Sequence, residues 1–133
     1  MKNYLLLCGG VGGAKLALGF SKILAESNLT IAVNTGDDFK HLNLKICPDL
    51  DTVLYTLANE SDLSKGWGRA DESWEMLGAL KQLGGETWFQ LGDKDLATHI
   101  IRTQLLADGA TLSQVTQELC SRFGVQSKVL PMS

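Results

Sequence analysis

The apolar run Tyr4-Leu5-Leu6-Leu7-Cys8 breaks straight into Gly9-Gly10-Val11-Gly12-Gly13, and this junction limits the possible folds more than any other feature. A short, continuous apolar run without polar alternation is the pattern of a parallel strand buried on both faces. After the glycines, Leu16, Phe20, Ile23 and Leu24 recur at helical spacing, predicting a helix over 14–26. Residues 29–35 are apolar and rich in β-branched side chains, and the run stops at Gly36. Strand, glycine turn, helix and strand in that order begin a parallel α/β sheet.

The remainder extends the same pattern. Residues 37–48 read as irregular, and Pro48 marks a helix start with Asp49 at or beside its cap and Val53, Leu54 and Leu57 on its apolar side. A polar stretch follows, with Gly66-Trp67-Gly68 as a loop, then a helix over 70–83 that ends at Gly84-Gly85. Thr87-Trp88-Phe89-Gln90-Leu91 reads as a short strand. Asp93 is placed to cap a helix over 94–107, with Leu96, Ile100, Ile101 and Leu105 available for packing. A helix over 112–123, capped by Thr111 and stopped by Gly124, leads to a last strand over 127–130. That strand runs into Pro131-Met132-Ser133 without a closing helix, so the expectation is one α/β domain of which this chain is the N-terminal part.

Composition narrows the function classes. With 133 residues, 44% of them hydrophobic, the chain has material for one core. The net charge is −3 and no segment concentrates Lys and Arg, which excludes the basic face that nucleic-acid binding requires. Cys8, Cys47 and Cys120 are odd in number and widely spaced, so they form neither a disulfide framework nor a CxxC metal motif. Reduced thiols in a cytoplasmic setting are the expectation. The apolar stretch before Cys8 is too short for a signal peptide, and no run reaches membrane-spanning length.

Two segments carry the chemistry. A glycine-rich turn between strand and helix lets backbone N–H groups face an anion, and the helix N-terminus adds partial positive charge. The turn is neither GxGxxG, which would need glycine where Lys15 stands, nor a Walker A loop, which needs Gly-Lys-Ser/Thr. Four glycines in five residues exceed what a turn needs, and this favours phosphate contact; Lys15 either adds a charge or lies solvated. The second segment is acidic: Asp37, Asp38, Asp49 and Asp51 follow the second strand within fifteen residues. Mg²⁺ is commonly held by one or two carboxylates together with substrate phosphate and water. Asp37 falls just beyond the carboxyl end of a strand, where open α/β sheets bind ligands, and Asp49 opens a helix. Further on, Asp93, Lys94, His99 and Arg102 form a third group; His99 and Arg102 share a helical face and are either anion contacts or surface residues. Trp67 is either a plate for a flat ligand or a loop residue packed on the body.

Taken together, the segments GGVGGAKLALG (9–19), VNTGDDFKHLNLKICPDLDTVLYTL (33–57), GWGRADESW (66–74), ETWFQLGDKDLATHIIRTQLL (86–106) and VLPMS (129–133) closely resemble the 2-phospho-L-lactate transferase (CofD) family of coenzyme F-420 biosynthesis. The resemblance implies a Rossmann-like, three-layer α/β fold and a Mg²⁺-dependent transfer. The donor is a guanosine diphosphate conjugate such as lactyl-2-diphospho-5′-guanosine, or its enolpyruvyl or glyceryl counterpart. The acceptor is the ribityl hydroxyl of the deazaflavin Fo, and GMP leaves. By this likeness Gly9, Gly10, Val11, Gly12 and Gly13, with Lys15, face the diphosphate; Asp37 and Asp49 are metal ligands, with Asp38 as an alternate. Asp38 or Asp51 orients or deprotonates the hydroxyl, and Asp51 also holds Fo. Gln90, Asp93, His99 and Arg102 are expected at the substrate, although Gln90 stands where the family often has Arg or Lys. Full-length members are about twice as long and are expected to be homodimers. The competing readings are a nucleotide-sugar-binding regulator on the same fold and a dinucleotide oxidoreductase; Lys15 and Asn34 argue against the second.

Overall fold

A computed structural model describes residues 2–65 and 67–133; Gly66, read above as part of a loop, lies outside the described residues. Strand β1 (Tyr4–Cys8) leads into helix α1 (Val11–Ile23), and a single 3-10 turn precedes β2 (Leu29–Val33). A hairpin of β3 (Phe39–His41) and β4 (Leu44–Ile46) comes next, then α2 (Pro48–Leu57), α3 (Glu75–Gln82), α4 (Asp93–Ala107), α5 (Leu112–Phe123) and β5 (Lys128–Pro131). β1, β2 and β5 form a parallel sheet in the order β1-β2-β5, with Leu6 opposite Ile31 and Ile31 opposite Val129. The α/β class and the parallel sheet are those expected from the sequence.

One side of the sheet is the core. Cys8, Leu29, Ile31, Val33 and Val129 pack against Ala14 and Ala17 of α1, Val53 and Leu54 of α2, and Val115 and Leu119 of α5. Small residues at 14 and 17 let α1 lie close to the strands, and Gly13 extends the same contact. A Cβ on Gly13 would stand 2.7 Å from Cys8 Sγ and 3.3 Å from Cys8 Cα. The opposite side is open among the described residues, with Leu5 65% and Leu7 68% exposed. The described residues supply a helical layer for one face of the sheet, not for both as the apolar run of β1 predicts.

Three local expectations are corrected. Residues 37–48 are not wholly irregular: Leu42 and Asn43 both adopt positive φ (52° and 62°), which makes the tight turn of the β3–β4 hairpin. A Leu-Asn pair lacks the glycine that normally signals such a turn. Residues 87–91 are not a strand. Trp88 and Phe89 instead pack their rings on Phe39 and His41 of the hairpin, at centroid distances of 5.0 to 5.8 Å. Ring packing has replaced a backbone ladder as the use of these aromatics. Helix α3 begins at Glu75 rather than near residue 70, because the chain before it is committed to a bridge between Ser61 and Arg69 and to the loop carrying Glu72.

Gly13→Val is expected to destabilise the fold by about 1–3 kcal/mol, since overpacking against Cys8 exceeds the few tenths gained in helix propensity. Urea denaturation followed by circular dichroism measures it, and an unchanged midpoint would refute the close helix–strand contact.

Candidate active site

The carboxyl ends of β1 and β2 bring the glycines and the acids together. Helix α1 starts within the glycine run, at Val11, with Gly10 as N-cap and no side chain bonded to its first amides. Those amides are the unpaired donors of a helix start. Gly10 has a steric reason to be glycine, because a Cβ there would lie 3.3 Å from an Asp49 carboxylate oxygen. Gly9 and Gly12 face open space. None of the glycines from 9 to 13 has positive φ, so the run serves close approach and openness rather than a left-handed turn.

Asn34, at the end of β2, organises the acids. Its side-chain N–H₂ donates to Asp37 (3.2 Å) and to Asp49 (2.9 Å), fifteen positions later on α2. Its side-chain oxygen accepts from Gly36 N, which holds the loop in place. Asp49 enters because Pro48 starts α2 at the end of the hairpin, placing Asp49 and Asp51 in its first turn. Asp37 is exposed, Asp49 half-buried and Lys15 exposed on α1. The Asp38 side chain is only 5% exposed, with Lys45 Nζ at 4.0 Å. Neither of its carboxylate oxygens has a hydrogen-bond partner meeting ordinary geometry. Burial raises its pKa, against the pull of the Cys47 thiol and Lys45. Burial likewise pushes the Cys47 thiol up to about 12, which keeps it inert.

From Asp51 a buried polar chain runs between α2 and α4. Arg102 is 1% exposed; its guanidinium pairs with both Asp51 oxygens, through Nη2 to Oδ1 and through Nη1 to Oδ2 at 3.3 Å. Nη1 also donates to the Lys45 carbonyl oxygen (3.2 Å). His99 lies between the two acids: Nε2 faces Asp95 at 2.9 Å and Nδ1 faces Arg102 Nη1 at 3.3 Å. That order places the imidazole N–H on Nε2. Asp95 also accepts from the Tyr55 hydroxyl (2.5 Å), which lies 2.8 Å from the Thr98 hydroxyl. Burial raises the pKa of Asp51 although Arg102 and His99 pull it down. For Asp95 burial is outweighed by the His99 and Tyr55 hydrogen bonds, and its pKa is lowered.

This corrects the expectation for α4. Ile100 and Ile101 are exposed, while Thr98, His99 and Arg102 are its buried residues. The helix meets the core through Leu105 and Leu106, as expected for Leu105, and the network through Thr98, His99 and Arg102. Asp95 and Tyr55 were missed in the sequence. Each lies one helical turn from a residue singled out there, Asp95 from His99 and Tyr55 from Asp51, and that i,i+4 spacing was the available signal.

Beside the network is a cavity of about 340 Å³. Tyr55, Trp67, Trp74, Trp88 and Phe89 line it with rings, and Asp51, Asp95, His99 and Gln90 supply polar groups. The buried Asp51 and His99 form its deep end, and Trp88 (66% exposed) and Trp67 (42%) stand at its mouth. Lys65 Nζ sits over the Trp67 and Trp74 rings at 5.2 and 4.8 Å. Asp51, Asp95 and His99 each offer a ligand atom within 4.8 Å of the others, the spacing of a metal cluster. The Arg102 guanidinium already supplies the positive charge there.

Asp93 is used differently from the cap anticipated for its own helix. Its carboxylate accepts from the amides of Glu75 (3.1 Å) and Met76 (3.0 Å), capping α3, and from the Ser73 hydroxyl. In exchange, the Glu72 carboxylate accepts from Lys94 N (2.8 Å) and Asp95 N (3.0 Å) at the start of α4. Gly92 leaves the room Glu72 occupies.

The model for the family described as 2-phospho-L-lactate transferase CofD matches residues 5–133. The chain belongs to the CofD family. Among curated relatives it is 47% identical over 129 residues to a phosphoenolpyruvate transferase of Streptomyces avermitilis, and equally so to one of Kitasatospora aureofaciens, covering 96% of this chain and 40% of theirs. A phosphoenolpyruvate transferase of Mycobacterium tuberculosis is 43% identical over 140 residues, covering 95% of this chain and 42% of its own length. The chain thus spans about two fifths of the CofD relatives it matches. No helix among the described residues is long and apolar enough to cross a membrane.

The reciprocal caps predict an acid sensitivity. Hydrogen bonds from Ser73, Met76 and Glu75 hold Asp93 below its ordinary value of 3.8. A depressed folded-state pKa means the contribution is complete above the unfolded value and drains away as pH falls through the folded one. Amide exchange at Glu75 and Met76 is expected to speed up, relative to the intrinsic rate, below about pH 4. Asp93→Ala should show the faster exchange already at neutral pH; equal protection in variant and wild type would refute the cap.

Proposed function

We propose that this chain carries the donor-phosphate end and the acceptor cavity of a CofD-type transferase. A phospho-acid group passes from a guanosine diphosphate conjugate to the ribityl hydroxyl of Fo, 7,8-didemethyl-8-hydroxy-5-deazariboflavin. The observation that carries the reading is the first turn of α2: Asp49 points to Gly10 and Asn34, while Asp51 reaches the aromatic cavity. One turn of helix therefore joins a diphosphate site to a slot for a flat ring system. The names of the relatives favour enolpyruvate as the acid, giving the dehydro form of coenzyme F-420-0.

Asp37 and Asp49 meet at the Asn34 amide with no cationic side chain paired to either among the described residues, an excess of negative charge that fits a divalent cation. The carboxylates converging on the Asn34 amide, and the partnerless oxygens of Asp38, are the donor set Mg²⁺ prefers. Asp37 and Asp49 would hold it, with Asp38 as the alternate. When bound, the ion neutralises the diphosphate oxygens and the leaving GMP.

The chain's own groups do the rest. The free amides at the start of α1 receive phosphate oxygens. The ring system lies between the aromatic walls, with Trp67 as a plate. Of the two candidate catalytic carboxylates, Asp51 lines the cavity, so it accepts the hydrogen bond of the attacking hydroxyl and takes its proton. The new oxygen–phosphorus bond forms as the anhydride bond to GMP breaks, and GMP leaves with that electron pair. Gln90, an exposed amide at the cavity, hydrogen-bonds without the charge of an Arg or Lys. His99 and Arg102 act from beneath through Asp51, and Asp93 acts through the backbone of α3.

Incubation of the protein with Fo, the guanosine-linked acid and Mg²⁺, followed by mass spectrometry, is expected to yield the phospho-acid ester of Fo and GMP. Asp37→Asn and Asp49→Asn should each reduce turnover on the order of a hundredfold with the fold intact. Turnover unchanged in either variant would remove that residue from the metal site. Nucleotide-sugar binding without product from any of the three acids would favour the regulator instead.

A further inference from the structure

Asp51 is a buried polar group at the deep end of the cavity, yet a carboxylate there has strong reasons not to stay in place. It is 5% exposed, flanked by Asp95, and lines a cavity walled in large part by rings. An isolated buried carboxylate neutralises or swings toward water. Arg102 opposes the first and blocks the second. Its two terminal nitrogens meet the two Asp51 oxygens, and it is held in turn by the Lys45 carbonyl and His99 Nδ1. His99 is fixed from its far side by Asp95, and Asp95 by Tyr55. The guanidinium cannot rotate away without breaking contacts to α2, α4 and β4 together.

We propose that Arg102 is a positioning residue whose fork, locked by His99 and the Lys45 carbonyl, aims Asp51 at a hydroxyl of the ligand in the aromatic cavity. A carboxylate offers about four lone-pair sites. Two are taken by Arg102, which fixes the plane of the carboxylate and so the directions in which its remaining sites accept. A ligand is then recognised jointly by a flat ring system and by a hydroxyl at a set distance from it. A lysine cannot do the same, because it provides one point charge rather than a two-pronged plane.

The proposal rests on the reading of the cavity as the acceptor site, and a binding cycle separates the two. The probe is Fo, followed by its own fluorescence, with wild type, Asp51→Asn, Arg102→Met and the double variant; thermal unfolding shows which of them are folded. The expected result is weaker Fo binding by about tenfold or more in each single variant, the scale of a lost hydrogen bond to a charged group. The double variant should bind no worse than Asp51→Asn alone, since Arg102 acts through Asp51. Arg102→Lys, the variant most able to fold, should keep the charge and still lose most of that affinity. Independent, additive losses, or full affinity in Arg102→Lys, would overturn the positioning role. Wild type that fails to bind Fo would instead overturn the acceptor-site reading, and the proposal with it.

Discussion

The ion pair between Arg102 and Asp51 joins pieces of chain that would otherwise have little reason to meet. Asp51 belongs to α2, Arg102 to α4, and the Lys45 carbonyl that Arg102 also binds belongs to the β3–β4 hairpin. Thr103, the next residue of α4, accepts from Lys45 N and donates to the His99 carbonyl, so hairpin and helix are stitched twice. A pair so deeply buried is weak evidence for net stability, because desolvation consumes much of the Coulomb gain. Its value lies in specificity: removing either partner strands a buried charge, which typically costs about 3–5 kcal/mol. The hairpin's aromatic partners, Trp88 and Phe89, then close the cavity over the same pair.

The helix starts show a division of labour. Helix α5 has a full capping box from Thr111 and Gln114, and α3 and α4 exchange the carboxylates of Asp93 and Glu72. Helix α2 carries Asp49 and Asp51 in its first turn. Only α1, among these five, begins with neither a side-chain cap nor an acid in its first turn. Its amides lie beside open space at Gly9 and Gly12, with Asp49 next to Gly10. An N-terminus left electropositive next to converging carboxylates suits a phosphate bridged by a cation. The same turn packs Gly13 against Cys8, so the uncapped helix start and the core share one stretch of backbone.

Much of this was legible in the residues. The parallel sheet followed from apolar runs ended by glycines, and α2 and α5 followed from Pro48, Thr111 and Gly124, whose roles are local. The 87–91 segment was misread because β-branched and aromatic content marks a strand only when a ladder partner exists, and here the rings found the hairpin instead. At two positions of α4 the apolar pattern misleads for a related reason. Ile100 and Ile101 are apolar by composition, but the neighbours that decide burial are Asp51 and Tyr55, some fifty and forty-five residues earlier.

Local chemistry was therefore settled by the order of residues along the chain: where strands stop, where helices start, and that glycines and acids follow successive strands. These depend on backbone conformation and on neighbours within a turn or two, which sequence records directly. Which acids would converge was decided only by tertiary structure. Asp37 and Asp49 meet through Asn34, Asp51 is captured by Arg102, Asp38 is left buried beside Lys45, and Asp93 is diverted to α3. The physical reason is that the energy of a charged side chain depends on burial and on partners a few ångströms away, and folding chooses those partners from distant parts of the chain.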